Sequence, residues 1–82
     1  MPFVYILQCN DGTYYTGYAV DLEKRLQQHQ DGIACKYTRG RLPVSLVYRE
    51  ELASKGEAMS REASIKKLTK RQKEKLIESA ST

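Results

Sequence analysis

The chain begins with two segments whose residues suit β-strands. Residues 3–9 form a mainly apolar run with β-branched and aromatic side chains, and residues 13–18 are again rich in β-forming types. The turn-forming sequence Asn-Asp-Gly at 10–12 lies between them. The pattern therefore predicts a β-hairpin.

The length of the hairpin loop decides which tyrosines share a face of the sheet. A two-residue loop would pair Tyr5 with Tyr18 and would direct Tyr15 to the opposite face. A three-residue loop would place Tyr5 opposite Gly17, so that Tyr5 and Tyr15 become diagonal neighbours on one face. We favour the three-residue loop because it requires a glycine in the left-handed region at its end, where Gly12 stands.

The central part of the chain predicts a helix, a loop and a third strand. Asp21 is a suitable N-cap, the following leucines are spaced for one helical face, and Gly32 is a suitable residue to end the helix. Residues 33–43 resemble a loop. Residues 44–51 alternate, with Val44, Leu46 and Tyr48 predicted on one face of a strand.

Two capping boxes predict two further helices. Ser54 and Glu57 open a helix that runs to about residue 68, and Thr69 and Gln72 open another that runs to about residue 78. The element order is ββαβαα, an α+β fold with a small, mostly antiparallel three-stranded sheet flanked by helices. We expect one domain over residues 2–78 and a C-terminal tail over residues 79–82.

Composition and charge narrow the class of partner. The chain has 82 residues, enough for one domain, and a formal net charge of +4. Residues 1–52 hold six basic and six acidic side chains, whereas residues 53–82 hold eight basic and four acidic ones. This basic excess indicates either a phosphate-rich partner or an ordinary solvated helix face.

The cysteines, the histidine and the hydropathy of the chain argue against a zinc-binding protein and against a membrane protein. Cys9, Cys35 and His29 do not have the spacing of a zinc site, and we expect both cysteines to be reduced in the cytoplasm. One interpretation is that Cys35 is a nucleophile paired with His29. We favour the other, in which Cys9 and Cys35 are small, half-buried apolar residues. No apolar run has the ~20 residues of a membrane helix, so we expect no membrane contact.

Several polar side chains are predicted to point inward. At helical spacing His29 falls on the apolar face of its helix, with Arg25 at the border of that face. Glu62 falls on the face of the later helix that also carries Ala58, Met59 and Ile65. A carboxylate there is costly without a cation, and the candidates are Arg25, Lys66 and a divalent ion.

These residues together resemble a known family. Phe3-Val4-Tyr5, then Tyr15-Thr16-Gly17, then Arg25 and His29 on a helix, then Glu62 on a later helix, resemble the GIY-YIG nuclease domain. The stretch YTGYAVDLEKRLQQH carries the most specific part of the resemblance. The chain looks most like the small uncharacterised bacterial proteins that consist of this domain alone.

The resemblance implies metal-dependent hydrolysis of a phosphodiester. It implies that Tyr5 is the general base or orients water, that Tyr15 supports water or phosphate, and that Gly17 is the motif glycine. It further implies that Arg25 stabilises negative charge on the phosphate, that His29 occupies a position some members use, and that Glu62 holds one Mg²⁺ or Mn²⁺ ion.

The expected partner is nucleic acid, with DNA favoured over RNA. Nucleases of this family with defined targets usually carry a separate DNA-binding domain, so we expect cleavage directed by structure rather than sequence. Contacts to the backbone are expected from eight residues: Lys36, Tyr37, Arg39, Arg41, Lys66, Lys67, Lys70 and Arg71. The alternative is a catalytically weak or inactive nucleic-acid-binding module, and an unidentified protein partner if no nucleic acid binds.

Overall fold

The predicted order of strands and helices is present, with one additional short helix. The computed structural model describes residues 1–81. Within them the strands are β1 (Phe3–Gln8), β2 (Tyr14–Ala19) and β3 (Ser45–Glu51). The helices are α1 (Leu22–Gln30), α2 (Lys36–Arg39), α3 (Lys55–Lys66) and α4 (Lys70–Ser81).

The three strands form one antiparallel sheet in the order β2-β1-β3. The hairpin has the three-residue loop, because Tyr5 lies opposite Gly17 and Leu7 lies opposite Tyr15. Gly12 closes the loop with a φ of 85°, a conformation that glycine adopts without steric cost. The favoured register is therefore confirmed, and β2 is left as an edge strand.

A register shift in β3 breaks the predicted alternation of that strand. Ile6 pairs with Tyr48, but Leu7 pairs with Leu46, so Val47 is the extra residue of a bulge. Val44 consequently packs in the cluster that contains Leu7, whereas Tyr48 packs on the other face of the sheet. The prediction that Val44, Leu46 and Tyr48 share one face was wrong for this reason.

The sheet separates two apolar clusters. On one face, Tyr5 and Leu7 of β1 pack with Leu22 of α1. On the other face, the alternate β1 residues Val4 and Ile6 pack with Ala58 and Ile65 of α3 and with Leu76 and Ile77 of α4. Helices therefore cover both faces of the strand pair at which the tyrosine motifs lie.

Two element boundaries and the exposure of one side chain differ from the predictions. Residues 33–43 are not wholly a loop, since they contain the one-turn helix α2. Helix α4 runs to Ser81 rather than ending near residue 78, and Thr82 lies outside the described residues. Met59 is 49% exposed, because α3 packs through its small Ala58 and its Ile65 one heptad later. The domain boundary at residue 78 stays a prediction.

Among the residues that the structure describes, no helix is both long enough and apolar enough to cross a membrane.

Candidate active site

A cleft of about 550 Å³ runs along the free edge of β2. Helix α1 packs on one face of the sheet and α3 on the other, and both extend to this edge. Arg25 therefore reaches the cleft from one side and Glu62 from the other, with Tyr15 and Gly17 between them. The cleft is further lined by Tyr18, Ala19, Val20, Asp21, Lys24, Gln28 and Lys55.

Glu62 has the environment of a single carboxylate ligand. Its side chain is 19% exposed, and its Oε1 lies 3.6 Å from the Nζ of Lys66, one turn later on α3. The described residues contain no group of three His, Cys, Asp or Glu side chains that could enclose a metal ion. A lone, partly exposed carboxylate fits Mg²⁺, which keeps several waters and prefers oxygen ligands. The donor set thus fits the predicted ion.

Tyr5 lies behind the cleft rather than on its wall. A Cβ built on Gly17 would stand 2.7 Å from the Tyr5 Oη and 2.9 Å from its Cζ, so the phenol lies over the glycine and fills that space. Tyr5 is fully buried, and its Oη is 2.8 Å from the Nε2 of His29. The Tyr5 phenol is therefore closed off from the cleft, although its strand partner Gly17 has no side chain.

Tyr15 links the buried Tyr5–His29 pair to the surface. Its ring centroid lies 6.4 Å from that of Tyr5, 5.3 Å from that of His29 and 5.8 Å from that of Tyr37. The tilted and edge-on arrangements are those that aromatic rings favour. Tyr15 also lines the cleft, so this cluster of rings extends from the buried pair to the cleft wall.

Burial governs the protonation of the aromatic cluster. Burial raises the pKa of Tyr5, and the positive charge of Arg25 only partly offsets this. The pKa of Tyr15 is also raised, mainly by burial and then by the Cys35 thiol. Burial, and then Arg25, lower the pKa of His29 below its usual 6.5. Both phenols are therefore protonated and the imidazole is neutral at pH 7.

The first four residues predicted to contact nucleic acid lie beside Tyr15. They are Lys36, Tyr37, Arg39 and Arg41. The guanidinium carbon of Arg41 is 4.2 Å from the ring centroid of Tyr37, and Arg41 Nε is 3.0 Å from Asp11 Oδ2. Arg41 is therefore already engaged, whereas the neighbouring Lys36 and Arg39 are exposed and form no ion pair with any residue that the structure describes. Tyr37 itself is 38% exposed, which leaves part of its ring accessible.

The other four residues predicted to contact nucleic acid do not lie together. They are Lys66, Lys67, Lys70 and Arg71. Lys66 lies beside Glu62 at the cleft. Lys67 and Arg71 are exposed where α3 meets α4, and Lys70 Nζ is 5.9 Å from the ring centroid of Tyr14. Tyr14 belongs to the opposite face of the sheet from Tyr15. Lys66 and Lys70 therefore lie at different places, and the nucleic-acid contacts of these four residues stay predictions.

Sequence reasoning missed three residues of the site. Lys24 and Lys55 line the cleft on either side of β2, and Thr38 is fully buried against His29. Lys55 carried a signal, because a cation in the first turn of a helix opposes the helix dipole and is rarely placed there for stability. Thr38 carried no such signal, because the sequence predicted a loop where Thr38 lies in helix α2.

Comparison with known proteins agrees with this arrangement. A family model described as the GIY-YIG catalytic domain matches residues 1–75. The chain belongs to the GIY-YIG family. A UPF0213 protein of Halobacterium salinarum is 53% identical over 77 residues, which cover 94% of this chain and 100% of that protein. A UPF0213 protein of Clostridium perfringens is 56% identical, covering 99% of this chain and 87% of that protein.

Two solved structures resemble the GIY-YIG domain described above. The solution NMR structure of a UPF0213 protein from Bacillus halodurans has a TM-score of 0.61 and 47% identity, covering 95% of this chain and 84% of that one. The solution NMR structure of a protein from E. faecalis has a TM-score of 0.65 and 38% identity, covering 96% and 84%. The chain is thus similar over nearly its whole length to small proteins of this family.

Proposed function

We propose that this GIY-YIG domain is a divalent-metal-dependent endonuclease that hydrolyses phosphodiester bonds in DNA, guided by the structure of the nucleic acid rather than by its sequence. The observation that carries the proposal is the cleft at the β2 edge, into which Arg25 and Glu62 project from helices on opposite faces of the sheet. A guanidinium and a carboxylate that share a cleft with a phenol match the needs of phosphate chemistry.

Arg25 would bind the scissile phosphate. A guanidinium donates to two phosphate oxygens at once and keeps its charge at any physiological pH. Because Arg25 stands beside a cleft wall that is partly apolar, its charge is less screened there than on an open surface. It would stabilise the negative charge that builds up on the phosphate in the transition state.

The two phenols would have different positions relative to the substrate. Tyr15 lines the cleft and, being protonated, can donate a hydrogen bond to phosphate or to the attacking water. Tyr5 is the inner phenol and the candidate base or water-orienting group. Its proton has an acceptor inside the protein, the His29 Nε2 at 2.8 Å.

Glu62 would hold one Mg²⁺ or Mn²⁺ ion. When bound, such an ion stabilises negative charge on phosphate oxygens and increases the acidity of a coordinated water. Lys66 neutralises the Glu62 carboxylate in the ion-free protein, at an N–O distance of 3.6 Å. Because this is a half-exposed pair on one helix, it is weak and its loss to an ion costs little.

The test is nicking of branched, single-stranded and duplex DNA with Mg²⁺, with Mn²⁺ and with EDTA. We expect Glu62→Gln to lower the rate by at least ~100-fold, the loss typical when one group that stabilises transition-state charge is removed. The matched control is Glu23→Gln, which makes the same charge change at an exposed α1 carboxylate outside the cleft. Full activity of Glu62→Gln, or of the wild type in EDTA, would contradict the proposal.

A second candidate is a nucleic-acid-binding module of the same fold. Two observations favour it: Tyr5 is fully buried with a raised pKa, and Glu62 already has Lys66 as a partner. This function predicts salt-dependent binding of DNA or RNA with no product under any metal condition. If neither nucleic acid binds at low salt, the candidate fails and a protein partner becomes the better explanation.

A further inference from the structure

A chain of buried hydrogen bonds lies behind the cleft and extends beyond the motif residues. The Tyr5 Oη is 2.8 Å from His29 Nε2, and His29 Nδ1 is 2.9 Å from the Oγ1 of Thr38. The Thr38 Oγ1 is in turn 3.3 Å from the Sγ of Cys35. Tyr5, His29 and Thr38 are each at most 1% exposed, so water does not compete for these bonds.

Each member of this chain supplies a single proton, so the direction of one bond determines the others. A neutral imidazole donates from one ring nitrogen and accepts at the other. If Nδ1 carries the proton, it donates to Thr38, and Nε2 accepts from Tyr5. If Nε2 carries the proton, it donates to Tyr5, and Nδ1 accepts from the Thr38 hydroxyl.

The surroundings favour a proton on Nδ1. Arg25 is close enough to the Tyr5 phenol for its positive charge to lower the pKa of that phenol against the larger effect of burial. A positive charge on that side attracts the oxygen end of the O–H dipole, so the Tyr5 proton is directed to His29 Nε2, 2.8 Å away. At the other end, burial raises the pKa of the Cys35 thiol, but hydrogen bonding to Thr38, to Tyr15 and to the Tyr37 backbone together outweighs burial and lowers the pKa. Cys35 is thus suited to accept from the Thr38 hydroxyl.

We propose that Thr38 is a positioning residue that accepts a hydrogen bond from His29 Nδ1 and thereby keeps His29 Nε2 free to accept from Tyr5. Thr38 does not line the cleft and contacts the His29 ring nitrogen that faces away from Tyr5, so it stands one residue further from a substrate than His29 does. Its only route to the chemistry is through the orientation and the tautomer of His29. Cys35 lies one bond further away and contacts Thr38 rather than His29.

The catalytic consequence of this assignment rests on the proposed nuclease function. With Nε2 unprotonated, Tyr5 can pass its proton to His29 when the phenol has to act on water. With Nε2 protonated, the acceptor would be lost and Tyr5 would receive a hydrogen bond instead. Thr38 therefore acts on the rate of the chemical step rather than on the affinity for nucleic acid.

The direct test is the tautomer of His29, measured by ¹⁵N NMR of the imidazole in the protein alone at pH 7.5. His29 is the single histidine of the chain, so its ring signals need no assignment by mutation. We expect a proton on Nδ1 in the wild type. Thr38→Val keeps the shape but removes the hydroxyl, so the tautomer with Nε2 protonated should become populated. Thr38→Ser keeps the hydroxyl and should retain the wild-type signals.

The kinetic test uses the same variants on cleavable DNA. We expect Thr38→Val to lower kcat by ~10-fold or more and Thr38→Ser by ~2-fold or less, with KM unchanged in both, as for other groups that orient a functional histidine. If Thr38 had only a structural role, Thr38→Val would change kcat and KM together, and Thr38→Ser would not restore the wild-type kcat.

Two results would overturn the assignment. One is a wild-type protein whose His29 carries its proton on Nε2. The other is a folded Thr38→Val protein with the wild-type tautomer and the wild-type kcat. If no DNA is cleaved under any condition, the nuclease proposal fails, but the NMR measurement still decides whether Thr38 sets the tautomer. The two failures are therefore distinguishable.

Discussion

At the residue scale, the clearest requirement is at Gly17. The Tyr5 phenol occupies the space that a side chain at this position would take, and this places its Oη against His29. The glycine is thus needed for a close approach and not for an unusual backbone conformation, since its φ is not positive. Residue identity at one strand position therefore determines whether the buried phenol and imidazole can meet.

We expect Gly17→Ala to lower the free energy of unfolding by about 1–3 kcal/mol, the usual cost of overpacking a closed interior. The added methyl would lie 2.7 Å from the Tyr5 Oη, and the phenol would have to leave His29. Urea unfolding measures the effect. Gly40→Ala is the control, because nothing lies within 4 Å of its Cβ position and its φ is −89°. Equal stability losses in the two variants would contradict this account.

At the element scale, the helices begin where local side chains can satisfy free backbone N–H groups. The Ser54 Oγ accepts from the Glu57 backbone N–H at 3.2 Å, and Thr69 and Gln72 form a reciprocal pair at the start of α4. These bonds depend only on residues three positions apart. Helix starts were accordingly predictable, whereas α4 continues to Ser81 because Leu76 and Ile77 are held against the sheet cluster.

Replacing the cap of α3 should destabilise the protein without changing its chemistry. We expect Ser54→Ala to lower the free energy of unfolding by ~1 kcal/mol, since the Glu57 N–H loses its acceptor. Thermal or urea unfolding measures the change. The control is Ser60→Ala, the same substitution at an exposed position inside α3, where alanine is the better helix former. A loss of the same size in Ser60→Ala would show that capping is not the cause.

At the scale of the whole molecule, the candidate site exists because two helices cover opposite faces of a sheet that ends at β2. Lys24 and Arg25 come from α1, and Lys55 and Glu62 come from α3. The cleft therefore presents three cations and the two carboxylates of Asp21 and Glu62. Such a lining attracts a phosphate backbone while leaving a carboxylate for a metal ion.

We predict that Lys24 and Lys55 carry part of the salt dependence of nucleic-acid binding. Lys24→Gln and Lys55→Gln should each reduce the slope of log K against log salt by about 0.9 on duplex DNA and by about 0.7 on single strands. Filter binding or anisotropy at several salt concentrations measures the slope. Lys75→Gln, on exposed α4 outside the cleft, is the control. A Lys75 effect as large as that of Lys24 would show that binding is not localised at the cleft.

The interactions that sequence predicted are those within short segments. The hairpin register followed from the position of Gly12 in its loop, and the helix starts followed from capping residues three positions apart. The inward positions of His29 and Glu62 followed from helical periodicity. Resemblance to the GIY-YIG family added the roles of the five site residues, which stay predictions.

The features that the sequence did not predict depend on how the strands and helices pack against one another. The bulge at Val47 moved Tyr48 to the other face, and the packing of α3 through Ala58 and Ile65 left Met59 exposed. Neither the burial of Tyr5 behind Gly17 nor the contact of Thr38 with His29 has a local signal.

By itself, the sequence determined the three strands, the helices α1, α3 and α4, their order and the register of the hairpin, because capping, turn and periodicity effects act over a few residues. Only the tertiary structure decided which side chains line the cleft and which stand behind it. These residues are far apart in the chain: Arg25 and Glu62 line the same cleft, and Tyr5 contacts His29. Their arrangement depends on how α1 and α3 dock on the two faces of the sheet.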